Sequence, residues 1–129
     1  MTKRVLLVED SATMRSLLAS TLEEIAGLRV FAVGTGFEAL KALPQQPIDL
    51  IITDINMPDI NGLEVVNFVK NHPDYRAIPL IIVSTEQSKN DIQKGLSLGA
   101  SAYITKPFIP DEFKKTVKGI LKSSSSEGS

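Results

Sequence analysis

The chain alternates between short runs of β-forming apolar residues and longer segments in which apolar residues recur every three or four positions. Apolar runs of about four to eight residues predict strands, and the longer spacing predicts amphipathic helices. The predicted strands are residues 5–8, 29–33, 48–53, 80–83 and 102–105. Because strands and helices alternate, the pattern predicts an α/β fold with a single doubly wound, five-stranded parallel sheet.

Boundary residues support the same division into helices. Ser11 is an expected N-cap for the first helix, and Gly27 is placed where a glycine would stop that helix. The stretch that starts at Ser88 is typical of a helix start, and the fourth helix should stop near Gly99. Pro110 suits the first turn of the last helix. Each predicted helix is therefore bounded by residues whose chemistry favours a start or a stop.

Composition narrows the protein to one globular domain. The 129 residues, 43% of them hydrophobic, suffice for one core but not for two. The net charge of -1 argues against nucleic-acid binding, and the lack of cysteine excludes a disulfide framework, a thiol enzyme and a zinc ribbon. No apolar run approaches the roughly 20 residues that span a bilayer, and no signal peptide is visible. We expect a cytoplasmic protein with no membrane contact, its domain over residues 1–122 and a disordered serine-rich tail over 123–129.

Reactive side chains directly follow four of the five predicted strands. Acids stand at Glu9, Asp10 and Asp54, a hydroxyl at Ser84 and an ammonium group at Lys106. Parallel strands place all their carboxyl ends along one edge of the sheet, so residues far apart in sequence meet there. A cluster of carboxylates can hold a hard cation. The sequence therefore predicts a site at this edge.

The same residues, in this order, resemble the receiver domain of two-component response regulators. The motifs that carry the likeness are Glu9-Asp10, Asp54 with Met57-Pro58 and Gly62, Ser84, and Lys106-Pro107. The likeness covers about residues 3–122 and is closest to the stand-alone chemotaxis type. It implies a flavodoxin-like (βα)5 fold with strand order 2-1-3-4-5. It also implies a phosphorylation-controlled signalling switch rather than a turnover enzyme.

The resemblance assigns roles to the clustered residues. Asp54 is the expected phosphoacceptor, since a carboxylate can attack a phosphoryl group. Asp10 and Asp54 are expected to bind Mg²⁺ directly, with Mn²⁺ as a possible substitute, together with the backbone carbonyl of Asn56. Glu9 is expected to act mainly through water. Lys106 is expected to contact the phosphoryl oxygens as a point charge, or to pair with Asp54 when no phosphate is present.

The resemblance also implies a switch near the fourth and fifth strands. The Ser84 hydroxyl is expected to donate a hydrogen bond to the phosphoryl group and to move inward with the loop that begins at Thr85. Tyr103 is expected to change rotamer in response, and the bond between Lys106 and Pro107 is expected to be cis. The surface of the fourth helix, fifth strand and fifth helix would then contact a downstream protein target.

Two family positions are expected to tune the phosphoryl lifetime. Asn56 and Glu86 lie two residues after the acceptor aspartate and the switch hydroxyl, respectively. The same pair occurs in fast-hydrolysing chemotaxis regulators, so we expect a short-lived phosphorylated state. Thr85 departs from the family, which usually has alanine or glycine at this position, and its bulk would narrow access to Asp54.

Other classes of protein explain the residues less well. A phosphatase of the haloacid dehalogenase type needs a second aspartate where this chain has Asn56, which cannot transfer a proton. A flavodoxin-like electron carrier needs a non-acidic loop for the flavin phosphate, but the first loop begins Glu9-Asp10-Ser11. A receiver-like docking module that is never phosphorylated typically loses an acid or the lysine, and this chain retains them.

The expected partners follow from the same reasoning. His72 is the only histidine and is expected to be an exposed residue that caps the third helix, so the phosphodonor histidine belongs to a separate histidine kinase. We expect no direct nucleic-acid contact and a monomer or weak dimer. A non-phosphorylated docking module and a receiver domain cut from a larger multidomain regulator both stay open as alternatives.

Overall fold

The computed structural model describes residues 2–127, with side chains described through residue 123. Within them, parallel strands and α-helices alternate without exception, as the hydrophobic pattern predicts. The strands are β1 (Lys3–Val8), β2 (Leu28–Val33), β3 (Leu50–Thr53), β4 (Leu80–Ser84) and β5 (Ala102–Thr105). The helices are α1 (Ala12–Glu23), α2 (Gly36–Ala42), α3 (Gly62–Asn71), α4 (Lys89–Ser97) and α5 (Pro110–Glu127).

The strand order in the sheet is β2-β1-β3-β4-β5, which confirms the expected fold. The chain first adds β2 on one side of β1 and then adds β3 on the other side, so the order reverses between β1 and β3. The strand register places Val8 opposite Thr53 and Ser84 opposite Thr105. Because the strands end at nearly the same level, their carboxyl ends form one edge, where ligands bind in such sheets.

The core consists of two apolar layers, one on each face of the sheet. Successive strand residues point to opposite faces, so Leu6 and Leu7 belong to different layers. One layer packs the sheet against α2 and α3, and the other packs it against α1 and α5. A fully buried side chain such as Phe113 contributes about 1.5–3 kcal/mol to folding. These layers hold the strands rigidly enough to position the polar residues at their ends.

The helix boundaries largely follow the predicted caps. Ser11 Oγ accepts a hydrogen bond from the amide of Met14, and Ser88 caps α4 in the same way. Gly27 and Gly99 adopt positive φ values of 82° and 119° in the turns that follow α1 and α4, a backbone region that favours glycine.

The end of the last helix differs from the predicted boundary. We expected a disordered tail from residue 123, but α5 continues through Glu127. The serines at 123–126 cost a helix only a few tenths of a kcal/mol each relative to alanine, and no glycine or proline interrupts the chain before Gly128. The rest of the predicted tail, Gly128 and Ser129, lies outside the described residues. No helix in the described part of the chain is long and apolar enough to cross a membrane.

Candidate functional site

Three carboxylates meet at the carboxyl edge of the sheet. Glu9 and Asp10 follow β1 and Asp54 follows β3, and each offers an oxygen within 4.8 Å of the others. The register explains the meeting, because β1 and β3 are neighbours and the amide of Asp54 donates to the carbonyl of Val8 at 3.0 Å. Glu9 and Asp54 are buried, whereas Asp10 is exposed. The cluster is therefore open to solvent on the Asp10 side.

Lys106 brings a buried positive charge into this cluster from the end of β5. Its Nζ lies 2.7 Å from Glu9 Oε1 and 3.1 Å from Asp54 Oδ2. The pairing with Asp54 was expected, but the shorter contact to Glu9 was not. Glutamate is one methylene longer than aspartate, so its carboxylate can reach across to the lysine. Lys106 thus bridges two acids that stand 97 and 52 residues before it.

Burial and neighbouring charges together shift the pKa values of Lys106 and Glu9. Burial alone would lower the pKa of Lys106, but its hydrogen bond to Glu9 and the charge of Asp54 outweigh burial and raise that pKa. The pKa of Glu9 is also raised, first because the carboxyl is buried and then because Asp54 stands close by. The single positive charge of Lys106 therefore does not balance the three carboxylates of the cluster.

The donor set fits a small, hard divalent cation. All three acids offer oxygen ligands, and their combined charge exceeds that of Lys106. Both Glu9 oxygens already accept hydrogen bonds, from Lys106 Nζ and from the amide of Ser11 at 3.0 Å. Asp54 Oδ1 accepts from the amide of Ile55 at 2.7 Å. Asp10, the one exposed acid of the three, is therefore better placed than Glu9 to contact a cation directly.

Ser84 and Tyr103 converge on the backbone of one residue, Glu86. Ser84 is completely buried, and its Oγ accepts a hydrogen bond from the Glu86 amide at 3.1 Å. The Tyr103 hydroxyl donates to the Glu86 carbonyl at 2.7 Å. Burial raises the pKa of Tyr103, which keeps its hydroxyl protonated as a donor. The two residues with expected switch roles are thus linked through the start of the loop between β4 and α4.

Asn56 and Glu86 form a bridge across the mouth of the site. Asn56 Nδ2 donates to Glu86 Oε1 at 3.0 Å, which joins the loop after β3 to the loop after β4. Thr85, beside this bridge, is exposed. The Lys106–Pro107 peptide bond is cis, as the resemblance implied. Both residues with expected effects on the phosphoryl lifetime are therefore in direct contact with each other.

His72 lies apart from this cluster. It caps the end of α3, its ring stacks on Tyr75 with centroids 4.4 Å apart, and its Nδ1 accepts from the amide of Asp74. The predicted capping role is confirmed, although the residue is half-buried rather than exposed.

Reasoning from sequence missed two polar side chains near the site. Gln87 Nε2 donates to the carbonyl of Lys106 at 3.0 Å, and the carboxylate of Asp59 accepts from the amides of Gly36 and Phe37. An aspartate beside a proline is a turn signal, but no local pattern reveals a partner more than 20 residues away.

The expected readout surface contains a groove between β5 and α5. It has a volume of about 540 Å³ and is lined by Tyr103, Pro107, Ile109 and Lys115 among others. Ile109 and the nearby helix residue Leu96 are large apolar side chains that stay 58% and 41% exposed. This face combines exposed apolar side chains with a lysine.

Known proteins match this chain over nearly its whole length. The model of the response regulator receiver domain family matches residues 5–118. The chain is 36% identical over 126 residues to a chemotaxis protein CheY homolog of Campylobacter jejuni, with 97% of each chain covered. It is 35% identical over 121 residues to the polar-differentiation response regulator DivK of Brucella ovis, covering 94% of this chain and 98% of the relative. The structure of the chemotaxis response regulator CheY4 of Vibrio cholerae superposes with a TM-score of 0.85 at 34% identity, covering 93% and 99% of the two chains.

Proposed function

Since the chain belongs to the response regulator receiver domain family and is CheY-like in sequence and fold, we propose that it is a phosphorylation-controlled switch. Asp54 accepts a phosphoryl group from a histidine kinase in a Mg²⁺-dependent reaction, and the α4–β5–α5 surface then changes its affinity for a protein target. The observation that carries the proposal is the buried Asp54 carboxylate held between Lys106 and two further acids. The protein changes state and does not turn over an external substrate.

The nucleophile of the proposed reaction is a carboxylate oxygen of Asp54. It attacks phosphorus, and the bond between phosphorus and the donor's histidine nitrogen breaks as the new O–P bond forms. The attack brings two anions together, so positive charge must lie nearby. Lys106 Nζ, 3.1 Å from Asp54 Oδ2, can turn from the carboxylates to the arriving phosphoryl oxygens. The Ile55 amide holds the other Asp54 oxygen in place.

Mg²⁺ would be held by Asp10, Asp54 and the backbone carbonyl of Asn56, with Glu9 acting through water. Mn²⁺, which also favours oxygen ligands, would substitute. The cation supplies positive charge that offsets the repulsion between the acids and the phosphoryl group. Glu9 is the more deeply buried of the two bridged acids and makes the shorter contact to Lys106, which supports an indirect role for this residue.

The proposed switch runs through the backbone of Glu86. A phosphoryl group on Asp54 offers new acceptor oxygens to the Ser84 hydroxyl, which now accepts from the Glu86 amide. When Ser84 turns to the phosphoryl group, Thr85 and Glu86 follow, and Tyr103 is coupled to them by its hydrogen bond to the Glu86 carbonyl. Phosphorylation then shifts the population towards one packing of α4, β5 and the start of α5, including Pro107.

The Asn56–Glu86 bridge supports a short phosphoryl lifetime. Its two side chains follow Asp54 and Ser84 by two residues each and can orient a water molecule towards the phosphorus. We expect the phosphorylated protein with Mg²⁺ to lose its phosphoryl group well within hours. The relative named for chemotaxis and the one named for polar differentiation share nearly the same sequence identity with this chain, 36% and 35%. The proposal is therefore a receiver switch formed by residues 1–122, whose pathway is set by its kinase and target.

Phosphorylation by a small donor tests the proposal directly. The protein is incubated with Mg²⁺ and acetyl phosphate, and its intact mass is compared with that of an Asp54→Asn variant treated alike. We expect a gain of one phosphoryl group, about 80 Da, in the parent only, and none when EDTA is added before the donor. If neither acetyl phosphate nor phosphoramidate phosphorylates the parent, the proposal is contradicted and a docking module becomes the better reading.

A further inference from the structure

A carboxylate in the loop between β3 and α3 is bonded to the start of a different helix. Asp59 Oδ1 accepts from the amide of Gly36 at 3.1 Å, and Asp59 Oδ2 accepts from the amide of Phe37 at 2.9 Å. The amide of Phe37 is the main cause of a lowered pKa at Asp59, so the carboxylate is charged at neutral pH. The loop is thus tied to the first turn of α2 by a charged, two-oxygen contact.

Helix α2 also has a local cap at Thr35. Thr35 Oγ accepts from the amide of Glu38 at 3.1 Å, and Glu38 Oε1 accepts in return from Thr35 Oγ at 3.2 Å and from the amide of Gly34 at 3.3 Å. These reciprocal bonds, close to a capping box, start the helix from local residues. The contact to Asp59 adds to this local start, and it also holds the loop against the helix.

The backbone approach at this contact is very close. A Cβ atom at Gly36 would lie 2.7 Å from Ile60 Cβ and 3.2 Å from the Ile60 carbonyl oxygen. Glycine at position 36 is therefore what allows residues 59 and 60 to rest directly on the start of α2. The loop and the helix are packed together as well as hydrogen-bonded.

The same loop is closed tightly at its far end. The amide of Gly62 donates to the carbonyl of Ile55 at 2.7 Å, and a Cβ atom at Gly62 would lie 1.8 Å from the carbonyl oxygen of Asp54. Asn61 caps α3 through the amide of Leu63. Residues 55–61 thus run between two fixed points, and Asn56 lies between Asp54 and the Asp59 contact.

We propose that Asp59 is a positioning residue for the divalent-cation site: by holding the loop against α2 it fixes the backbone carbonyl of Asn56 beside Asp54. The inference rests on the proposed function, in which that carbonyl is a ligand. Groups that orient ligands without touching the metal typically change metal affinity by about 10- to 100-fold when removed. Loss of the Asp59 contact therefore weakens cation binding while the acids themselves remain.

The test is a calorimetric titration of the full chain with Mg²⁺ at neutral pH. We expect the Kd for Mg²⁺ to rise about tenfold in Asp59→Ala, and to rise less in Asp59→Asn, which keeps one acceptor oxygen. Amide hydrogen exchange at Gly36 and Phe37 should accelerate in Asp59→Ala. Glu64→Gln, which removes a negative charge from the exposed first turn of α3, is the control for long-range charge and should keep the parent Kd.

A purely structural role gives a different result. In that case urea unfolding without Mg²⁺ shows lower stability for Asp59→Ala, but the folded variant keeps the parent Kd, and the inference is overturned. An equal rise of Kd in Glu64→Gln and Asp59→Ala also overturns it. If the parent itself neither binds Mg²⁺ nor gains a phosphoryl group, the proposed function fails. If the parent does both and Asp59→Ala matches it, only the inference fails.

Discussion

Two lysines, the buried Lys106 and the half-buried Lys70, lie at opposite edges of the sheet, and their partners differ in kind. Lys106, at the carboxyl edge, contacts the carboxylates of Glu9 and Asp54. Lys70, near the end of α3 at the amino edge, donates to the backbone carbonyls of Arg76 at 3.2 Å and Ile78 at 2.6 Å. One ammonium group is thus surrounded by charges, and the other is bonded to neutral dipoles.

The difference in partners gives opposite pKa shifts. The pKa of Lys106 is raised, because the two carboxylates outweigh the cost of burial. The pKa of Lys70 is lowered, because burial disfavours its charge. An ammonium group among surplus carboxylates can exchange them for a phosphoryl group or yield to a cation. Lys70, which donates to backbone carbonyls, instead holds the chain in one conformation.

The surroundings of Lys70 support a structural role. Its carbonyl partners belong to the loop between α3 and β4, so the side chain closes that loop onto α3. Gly99, in the turn before β5, leaves room for it: a Cβ atom there would lie 2.8 Å from Lys70 Cγ. The amino edge is therefore packed around its lysine, whereas the carboxyl edge leaves Asp10 open to solvent.

Lys106→Met should produce the largest change in stability. It leaves Glu9 and Asp54 buried without their cation, which costs about 3 kcal/mol in the free energy of unfolding when EDTA is present. Mg²⁺ should recover part of the loss, because it supplies the missing positive charge. Urea unfolding with and without Mg²⁺ measures both effects. A loss that Mg²⁺ does not reduce would show that the acids do not share a cation site.

Lys70→Met should lower the free energy of unfolding by less than Lys106→Met does, and this loss should be the same with and without Mg²⁺. The substitution removes two charge-assisted hydrogen bonds and leaves two carbonyls to find other partners, a loss of about 2 kcal/mol. The same urea experiment measures it, and the rate of phosphorylation by acetyl phosphate should stay at the parent value. A clear fall in that rate would mean that the amino edge is coupled to the site, and the contrast between the two edges would break down.

The sequence predicts those site residues whose positions follow from the order and pairing of the strands. Glu9, Asp54 and Lys106 each directly follow an apolar strand, and parallel pairing brings such positions together whatever their separation in sequence. The closer pairing of Lys106 with Glu9 could not be read in advance, because it depends on side-chain reach and rotamer. Nor could Asp59, whose amide partners stand on another element, more than 20 residues away.

The same limit applies away from the site. Lys70 follows a helical pattern and would be taken for an exposed helix residue. Its burial is set by Gly99 and by the loop before β4, which no periodicity in α3 reveals. Topology carries residues to an edge of the sheet, and only packing decides which polar atoms meet there.

At alkaline pH the contributions of the two lysines to stability should change in opposite directions, an effect smaller than those of the substitutions. Stability rises with pH wherever the unfolded chain binds more protons than the folded one. The folded pKa of Lys70 lies below the ordinary value of 10.5, so its contribution to stability should grow as pH rises towards 10.5. The folded pKa of Lys106 lies above that value, so its contribution is complete below pH 10.5 and is lost as pH rises through the folded pKa.

The measurement is the free energy of unfolding in urea and EDTA from about pH 8 to about pH 11, for the parent and both methionine variants. Subtracting each variant from the parent cancels the titration of the other lysines and the tyrosines. As pH rises, the free energy of unfolding of the parent minus that of Lys70→Met should increase. The corresponding difference between the parent and Lys106→Met should decrease. Slopes of the same sign would mean that the carboxylates do not dominate the environment of Lys106. Its role would then resemble that of Lys70, an ammonium group that holds the chain in place.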